Sequence, residues 1–288
     1  MMKISQLGQG TQLSWQEYGK STGYPVFYFH GLPGSRVEPE SADAIAAELG
    51  IRLIAIDRFG YGDSIAAQST GFSEFSDALS EIADALKLGR YSLLGFSGGT
   101  PYALACASTH PQHIDRVAVV SSAADFSTPV MQEHYNRDFK PLFELAAADP
   151  GLARQQLEPM AQNADALMQL MQSNLPSDDQ RLFSAPAFHD SYFKNLETAL
   201  NQGIDGVVND LHRLGTPWPF DIREIRVPTT IWHGDEDRNC GVAIADYFAK
   251  NLADARLHIL SGKGHFFIFE HWREILSELI QGITDGIV

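Results

Sequence analysis

The residues best suited to chemistry lie in three short stretches. Gly95-Phe96-Ser97-Gly98-Gly99 reads G-x-S-x-G. His233-Gly234-Asp235-Glu236-Asp237 is rich in carboxylates, and Ser261-Gly262-Lys263-Gly264-His265 ends on a histidine. A serine hydroxyl is a poor nucleophile at neutral pH. It needs a general base to take its proton, and the base needs a third group to orient it. Serine, then acid, then histidine is one of the chain orders in which such a set occurs. G-x-S-x-G alone also suits a glycine-rich turn with an unreactive serine, so the partners carry the reading. For the acid, Asp237, Asp235 and, further upstream, Asp125 are all open.

The elements around these stretches place them at strand ends. Tyr91 to Phe96 is apolar and strand-like, and Tyr102 to Ala107 is helix-like. A serine on the sharp turn between the two is pushed out of the sheet. Further strands are expected at Thr11–Tyr18 (an edge strand), Pro25–His30, Ile51–Ile56, Ile114–Val120, Val227–Trp232 and Arg256–Leu260. Helical spacing is read at Ser41–Leu49, Phe72–Leu88, Val242–Leu252 and His265–Ile280. Alternation of this kind implies parallel pairing and right-handed crossovers, with helices on both faces. Such strands read as continuous apolar runs because both of their faces are covered.

Between about Ala124 and Ile222 the strand signal stops. Tyr135–Ala148, Leu152–Met171 and Asp178–Phe183 are read as short helices broken by Pro141, Pro150, Pro176 and Pro186. Met131, Met160, Met168 and Met171 fall here, soft side chains that suit either a pocket wall or simple docking. The acidic residues Glu133, Glu144, Glu158, Asp190, Glu197 and Asp210 are read as a solvated face, with one or two of them holding a cationic substrate end as the alternative. About a hundred helical residues are thus expected as an insertion between two parts of one sheet domain.

Composition narrows the partners. The 288 residues are 44% hydrophobic, ordinary for a globular chain, and the formal net charge is −15. That balance argues against nucleic acid and against anionic membrane. The two cysteines, Cys106 and Cys240, have no metal or disulfide-scaffold spacing. The start has no apolar signal region, and no run of about 18 apolar residues exists, so no membrane span and a cytoplasmic location are expected. His30 and His233 with Asp235 and Asp237 show no His-x-x-x-His spacing to support a metal site, and Gly31-Leu32-Pro33-Gly34-Ser35 lacks the lysine of a phosphate loop.

Taken together, His30-Gly31-Leu32-Pro33-Gly34-Ser35, Asp57-Arg58-Phe59-Gly60-Tyr61-Gly62-Asp63-Ser64, Gly95 to Gly99, His233 to Asp237 and Gly264-His265 resemble the α/β-hydrolase family, in family order, over residues 25 to 270. The resemblance implies a mostly parallel α/β core (residues 1–124 and 223–288) with a helical lid (residues 125–222). It implies Ser97 as nucleophile, His265 as base and Asp237 as acid, with the backbone N–H groups of Leu32 and Gly98 as the oxyanion hole. His30 and His233 are expected to bond loop backbone. The implied activity is hydrolysis of a small ester, amide or other acyl compound through an acyl-enzyme, as in carboxylesterases, with a small-molecule acyl substrate as partner and no cofactor or metal. A proline-iminopeptidase-type aminopeptidase, C–C bond hydrolysis and a non-catalytic ligand-binding role are the alternatives. Gly98 stands where the iminopeptidases usually carry tryptophan, and Arg238-Asn239-Cys240 departs from the proline and valine usual after the acid.

Overall fold

The apolar runs assemble into one eight-stranded sheet. In the computed structural model, which describes residues 2–66, 71–161, 163–172 and 174–283, the strands are β1 (Met2–Gln6), β2 (Gln12–Gly19), β3 (Tyr24–Phe29), β4 (Ile51–Ile56), β5 (Tyr91–Phe96), β6 (Ile114–Val120), β7 (Thr229–Gly234) and β8 (Ala255–Leu260). Their order is β1-β2-β4-β3-β5-β6-β7-β8. The β1–β2 and β2–β4 pairs are antiparallel, and every pair from β4 to β8 is parallel. The expected edge strand, β2, is therefore interior. Its outer neighbour β1 is largely exposed and too polar to announce itself.

The crossovers fix where a ligand can sit. From β3 the chain moves one way to β4, through α1 (Asp43–Glu48). It then jumps back over β3 to β5, through α2 (Phe72–Ala85), and continues in that direction through α3 (Thr100–Thr109) to β6. Right-handed crossovers in opposite directions put α1 on one face of the sheet and α2 and α3 on the other. The direction reverses between β3 and β5, and the crevice beyond their carboxyl ends is the place such sheets bind ligands. Phe29, last in β3, is in register with Gly95 of β5, so the loop after β3 and the turn after β5 emerge side by side.

Between β6 and β7 the chain inserts α4 (Pro129–Gln132), α5 (Lys140–Ala148), α6 (Pro150–Ala161), α7 (Ala164–Gln172), α8 (Ser177–Phe183), α9 (Pro186–Ala199) and α10 (Asp205–Gly215). The prolines open these helices more than they break them. Pro141, Pro150 and Pro186 sit in first turns and Pro176 caps α8, where a missing N–H costs nothing. After β7 come α11 (Ala243–Asn251), β8 and α12 (Trp272–Ile280). The expected helix from His265 is corrected: His265 stays in the loop after β8, followed by a short 3₁₀ turn at Phe267–Glu270 and then α12. Among the described residues no helix is long and apolar enough to cross a membrane.

Candidate active site

Ser97 follows β5 directly and has φ 49°, the left-handed region in which a side chain costs about 1–3 kcal/mol. The chain reverses there from strand to helix within one residue. The close approach explains its glycines. A Cβ on Gly99 would lie 2.1 Å from the Phe29 carbonyl oxygen, and one on Gly98 would lie 2.7 Å from Leu32 Cβ and 3.3 Å from Leu32 N. Gly98 and Leu32 thus abut beside Ser97, and both face the same cavity.

The loops after β7 and β8 bring Asp237 and His265 to this turn. His265 Nε2 lies 3.0 Å from Ser97 Oγ, and His265 Nδ1 lies 2.7 Å from Asp237 Oδ2. Both side chains are buried. The other Asp237 oxygen accepts from the backbone N–H groups of Asn239 (2.8 Å) and Cys240 (2.9 Å). The residues that depart from the usual pattern therefore close a tight turn around the carboxylate. Burial opposes ionisation of Asp237, but the adjacent His265 outweighs it and holds the carboxyl below its ordinary range. Burial likewise opposes the charge on His265, and Asp237, aided by the charges of Asp179 and Glu38, raises the imidazole above its ordinary value of 6.5. Asp235 is exposed and accepts from Gly262 N (2.6 Å), while Asp125 is taken up by Ser127 N (2.8 Å) and Trp218 N (3.3 Å).

The two histidines expected at strand ends do bond loop backbone. His30 Nδ1 donates to the Gly31 carbonyl (2.8 Å) and Nε2 accepts from Arg58 N (3.2 Å), which fixes one neutral tautomer. Burial, with the Arg58 charge beside it, keeps that imidazole well below its ordinary pKa. His233 Nε2 donates to the Cys240 carbonyl (2.7 Å) and so braces the turn around Asp237. Cys106 is a buried helix residue, as its apolar surroundings in the sequence suggest. Asp57 shapes its loop by accepting from Ser14 Oγ (2.6 Å) and Arg36 N (2.6 Å).

Four further side chains support the site, and of these only Arg58 lies in a stretch the sequence pattern singles out. Glu38 is buried and accepts from Tyr28 Oη (2.7 Å) and Gly31 N (2.8 Å), and burial pushes its carboxyl up to about 7. Arg58 is buried and donates to the carbonyls of His30 and Gly31 (2.9 Å to the latter). It also pairs with Asp210 of α10 at 2.5 Å. Asp210, read from sequence as part of a solvated face, is in fact 2% exposed and also accepts from Tyr61 Oη (3.0 Å) and Tyr102 Oη (2.5 Å). The fourth, Asp179 of α8, accepts from the N–H groups of His265 and Phe266.

A cavity opens from Ser97, between the strand ends and the inserted helices. Phe139, Phe143, Leu157, Leu167, Val207 and Leu211 form much of its far wall. Of the four methionines, Met160 and Met171 line it, and Met131 and Met168 are buried elsewhere. Among the described lining residues there is no aspartate, glutamate, lysine or arginine. Among the described residues no group of three or more His, Cys, Asp or Glu could hold a metal ion.

With this geometry in view, the comparisons agree on the fold. Residues 24–271 match the model of the alpha/beta hydrolase fold, and the chain belongs to that family. The 2-hydroxymuconate semialdehyde hydrolase of Pseudomonas putida is 23% identical over 275 residues, covering 92% of this chain and 88% of that one. The proline iminopeptidase of Neisseria gonorrhoeae is 30% identical over 113 residues, 38% of this chain and 36% of that one. Among solved structures, an esterase from Exiguobacterium antarcticum superposes with a TM-score of 0.68 at 22% identity, covering 97% of this chain and 98% of that one.

Proposed function

We propose that the protein is a serine hydrolase of the carboxylesterase type, acting on a small uncharged ester or other acyl compound through an acyl-enzyme. The observation that carries this reading is the unbroken hydrogen-bond chain from Asp237 through His265 to Ser97 Oγ, which ends at the mouth of an apolar cavity. In the proposed reaction Ser97 Oγ attacks the acyl carbon while His265 Nε2 takes its proton. The oxyanion lies between the N–H groups of Leu32 and Gly98, each contributing roughly 3 kcal/mol of barrier lowering. His265 then protonates the departing alkoxide. A water, deprotonated by His265, attacks the acyl-enzyme, releasing the acid and restoring Ser97. Asp237 stabilises the imidazolium at both stages. These steps are complete without a cofactor. Residues 125–222 act as the lid over this pocket, on the core of residues 1–124 and 223–288.

The cavity lining favours an ester over the alternatives. A muconate substrate carries a carboxylate and an aminopeptidase substrate carries an ammonium group. Either charge would be buried here without an opposite charge among the described lining residues, at a cost of several kcal/mol. A purely ligand-binding role gives no reason for a strained serine hydrogen-bonded to an imidazole that a buried carboxylate orients.

The test is covalent labelling. A fluorophosphonate is expected to modify Ser97 in the folded protein and to leave Ser97→Ala unmodified. Absence of an adduct at Ser97 would remove the enzyme reading. p-Nitrophenyl esters set against aminoacyl-naphthylamides separate esterase from aminopeptidase, and turnover of the amides alone would reverse the preference for an ester.

A further inference from the structure

The base itself is gripped from the inserted helices. Asp179 lies in the first turn of α8 and is 0% exposed. Its Oδ2 accepts from His265 N at 2.8 Å and its Oδ1 from Phe266 N at 3.0 Å. On the other side, Ser121 Oγ donates to the His265 carbonyl at 2.7 Å. Both peptide groups flanking His265 are therefore fixed by Asp179 of the insertion, the second of them by Ser121 as well. The fit is close. A Cβ on Gly264 would stand 2.2 Å from Asp179 Oδ2, so the carboxylate reaches the backbone only because residue 264 has no side chain. Phe183 of the same helix meets the Phe266 ring edge-on at 4.9 Å. The neighbouring Asp178 has different work, pairing at the surface with Arg181 (3.1 Å) and Lys263 (3.2 Å).

We infer that Asp179 is a positioning residue for His265: the inserted helix α8 holds the backbone of the general base, so the insertion is part of the frame of the site as well as its cover. This rests on the reading of His265 as the base. A carboxylate suits the task because two N–H donors converge on it, and its two oxygens can accept both. The ionisable groups it faces are His265 and, beyond it, Asp237, with Tyr192 nearby on α9. Burial raises the Asp179 carboxyl to about 6, and above that pH its negative charge adds to that of Asp237 in favouring the imidazolium.

Two readouts test this. In Asp179→Ala, kcat toward a neutral p-nitrophenyl ester is expected to fall by about 100-fold with KM held within about twofold, because a small misplacement of the base acts on the chemical step. By NMR titration, His265 is expected to lose its proton at lower pH in both Asp179→Ala and Asp179→Asn, with the smaller loss of kcat in Asp179→Asn, which keeps one acceptor oxygen. If Asp179→Ala does not fold, the Asp179→Asn titration decides. Asp178→Asn serves as the surface control and should leave the His265 titration in place. A folded variant whose His265 titration and kcat both match wild type overturns the inference. The titration needs no turnover, so a wild-type protein that fails to label at Ser97 would remove the proposed function, while the His265 titration would still decide whether Asp179 positions the imidazole.

Discussion

Asp237 and His265 each shift the other, and the direction of the shift sets the pH behaviour of the proposed reaction. The base must be neutral to accept the Ser97 proton. Its pKa is raised above 6.5, chiefly by Asp237 overcoming burial, so kcat/KM is expected to rise with pH through a midpoint above that value. Asp237→Asn removes the largest contribution opposing burial; the midpoint should move down and the plateau fall by on the order of 10⁴-fold. A pH–rate profile of both proteins measures this, and an unmoved midpoint would contradict it. Glu38 gives a second test, of stability. Burial raises its carboxyl from 4.5 to about 7 in the folded protein. A raised pKa contributes stability below the ordinary value that is lost as pH rises through about 7. Glu38→Gln, which resembles the protonated form, should therefore melt close to wild type at about pH 5 and above it at about pH 8. A constant melting difference between the two would show that Glu38 does not titrate in this range.

At the scale of elements, the insertion is fastened to the core by buried charge. Arg58, in the loop after β4, reaches α10 through Asp210 and at the same time holds the carbonyls of His30 and Gly31 just before Leu32. Asp210→Asn strands a buried guanidinium and is expected to cost about 3–5 kcal/mol by urea unfolding, where a surface aspartate would cost almost nothing. The same elements show what a sequence can disclose. Ile51–Ile56 and Ile114–Val120 are legible to the residue because a doubly covered parallel strand is an unbroken apolar run. The loops bearing Ser97, Asp237 and His265 are legible because glycines crowd where backbones touch and because the acid and the histidine follow strand ends. Helix α9 is not, since a proline that opens a helix looks like one that ends it. Asp210, Asp179 and Glu38 are hidden for another reason. Their partners are backbone groups or side chains from distant segments, and a lone acidic residue in a helical pattern looks solvated until tertiary contact buries it. The short polar strand β1 escapes because its sole support is pairing with β2.

For the molecule as a whole, the reversal of strand order between β3 and β5 decides where the pocket forms, and the inserted helices supply much of its wall. A wall of phenylalanine, leucine, valine and methionine gives surface to an acyl or alkyl chain and offers no described charged side chain to a polar end. Neutral p-nitrophenyl esters are therefore expected to exceed, by at least about 100-fold in kcat/KM, esters of matched length that end in a carboxylate, since that difference corresponds to under 3 kcal/mol of unpaired burial. Equal rates for the two series would mean that the charged end stays in water and that the cavity is not where the chain goes.

The contact between Gly264 and Asp179 also reaches into the history of the chain. The two positions belong to different parts of the fold, yet a methyl group at the first would occupy the space of the carboxylate at the second. Neither can drift freely while the other stays. A lineage that replaces the aspartate with a smaller residue gains room for a side chain before the histidine, and one that keeps it is confined to glycine there. A side chain at residue 264 should accordingly fit the fold after Asp179 has been replaced and not before, which makes the pair a measurable case of epistasis between a core loop and an inserted helix.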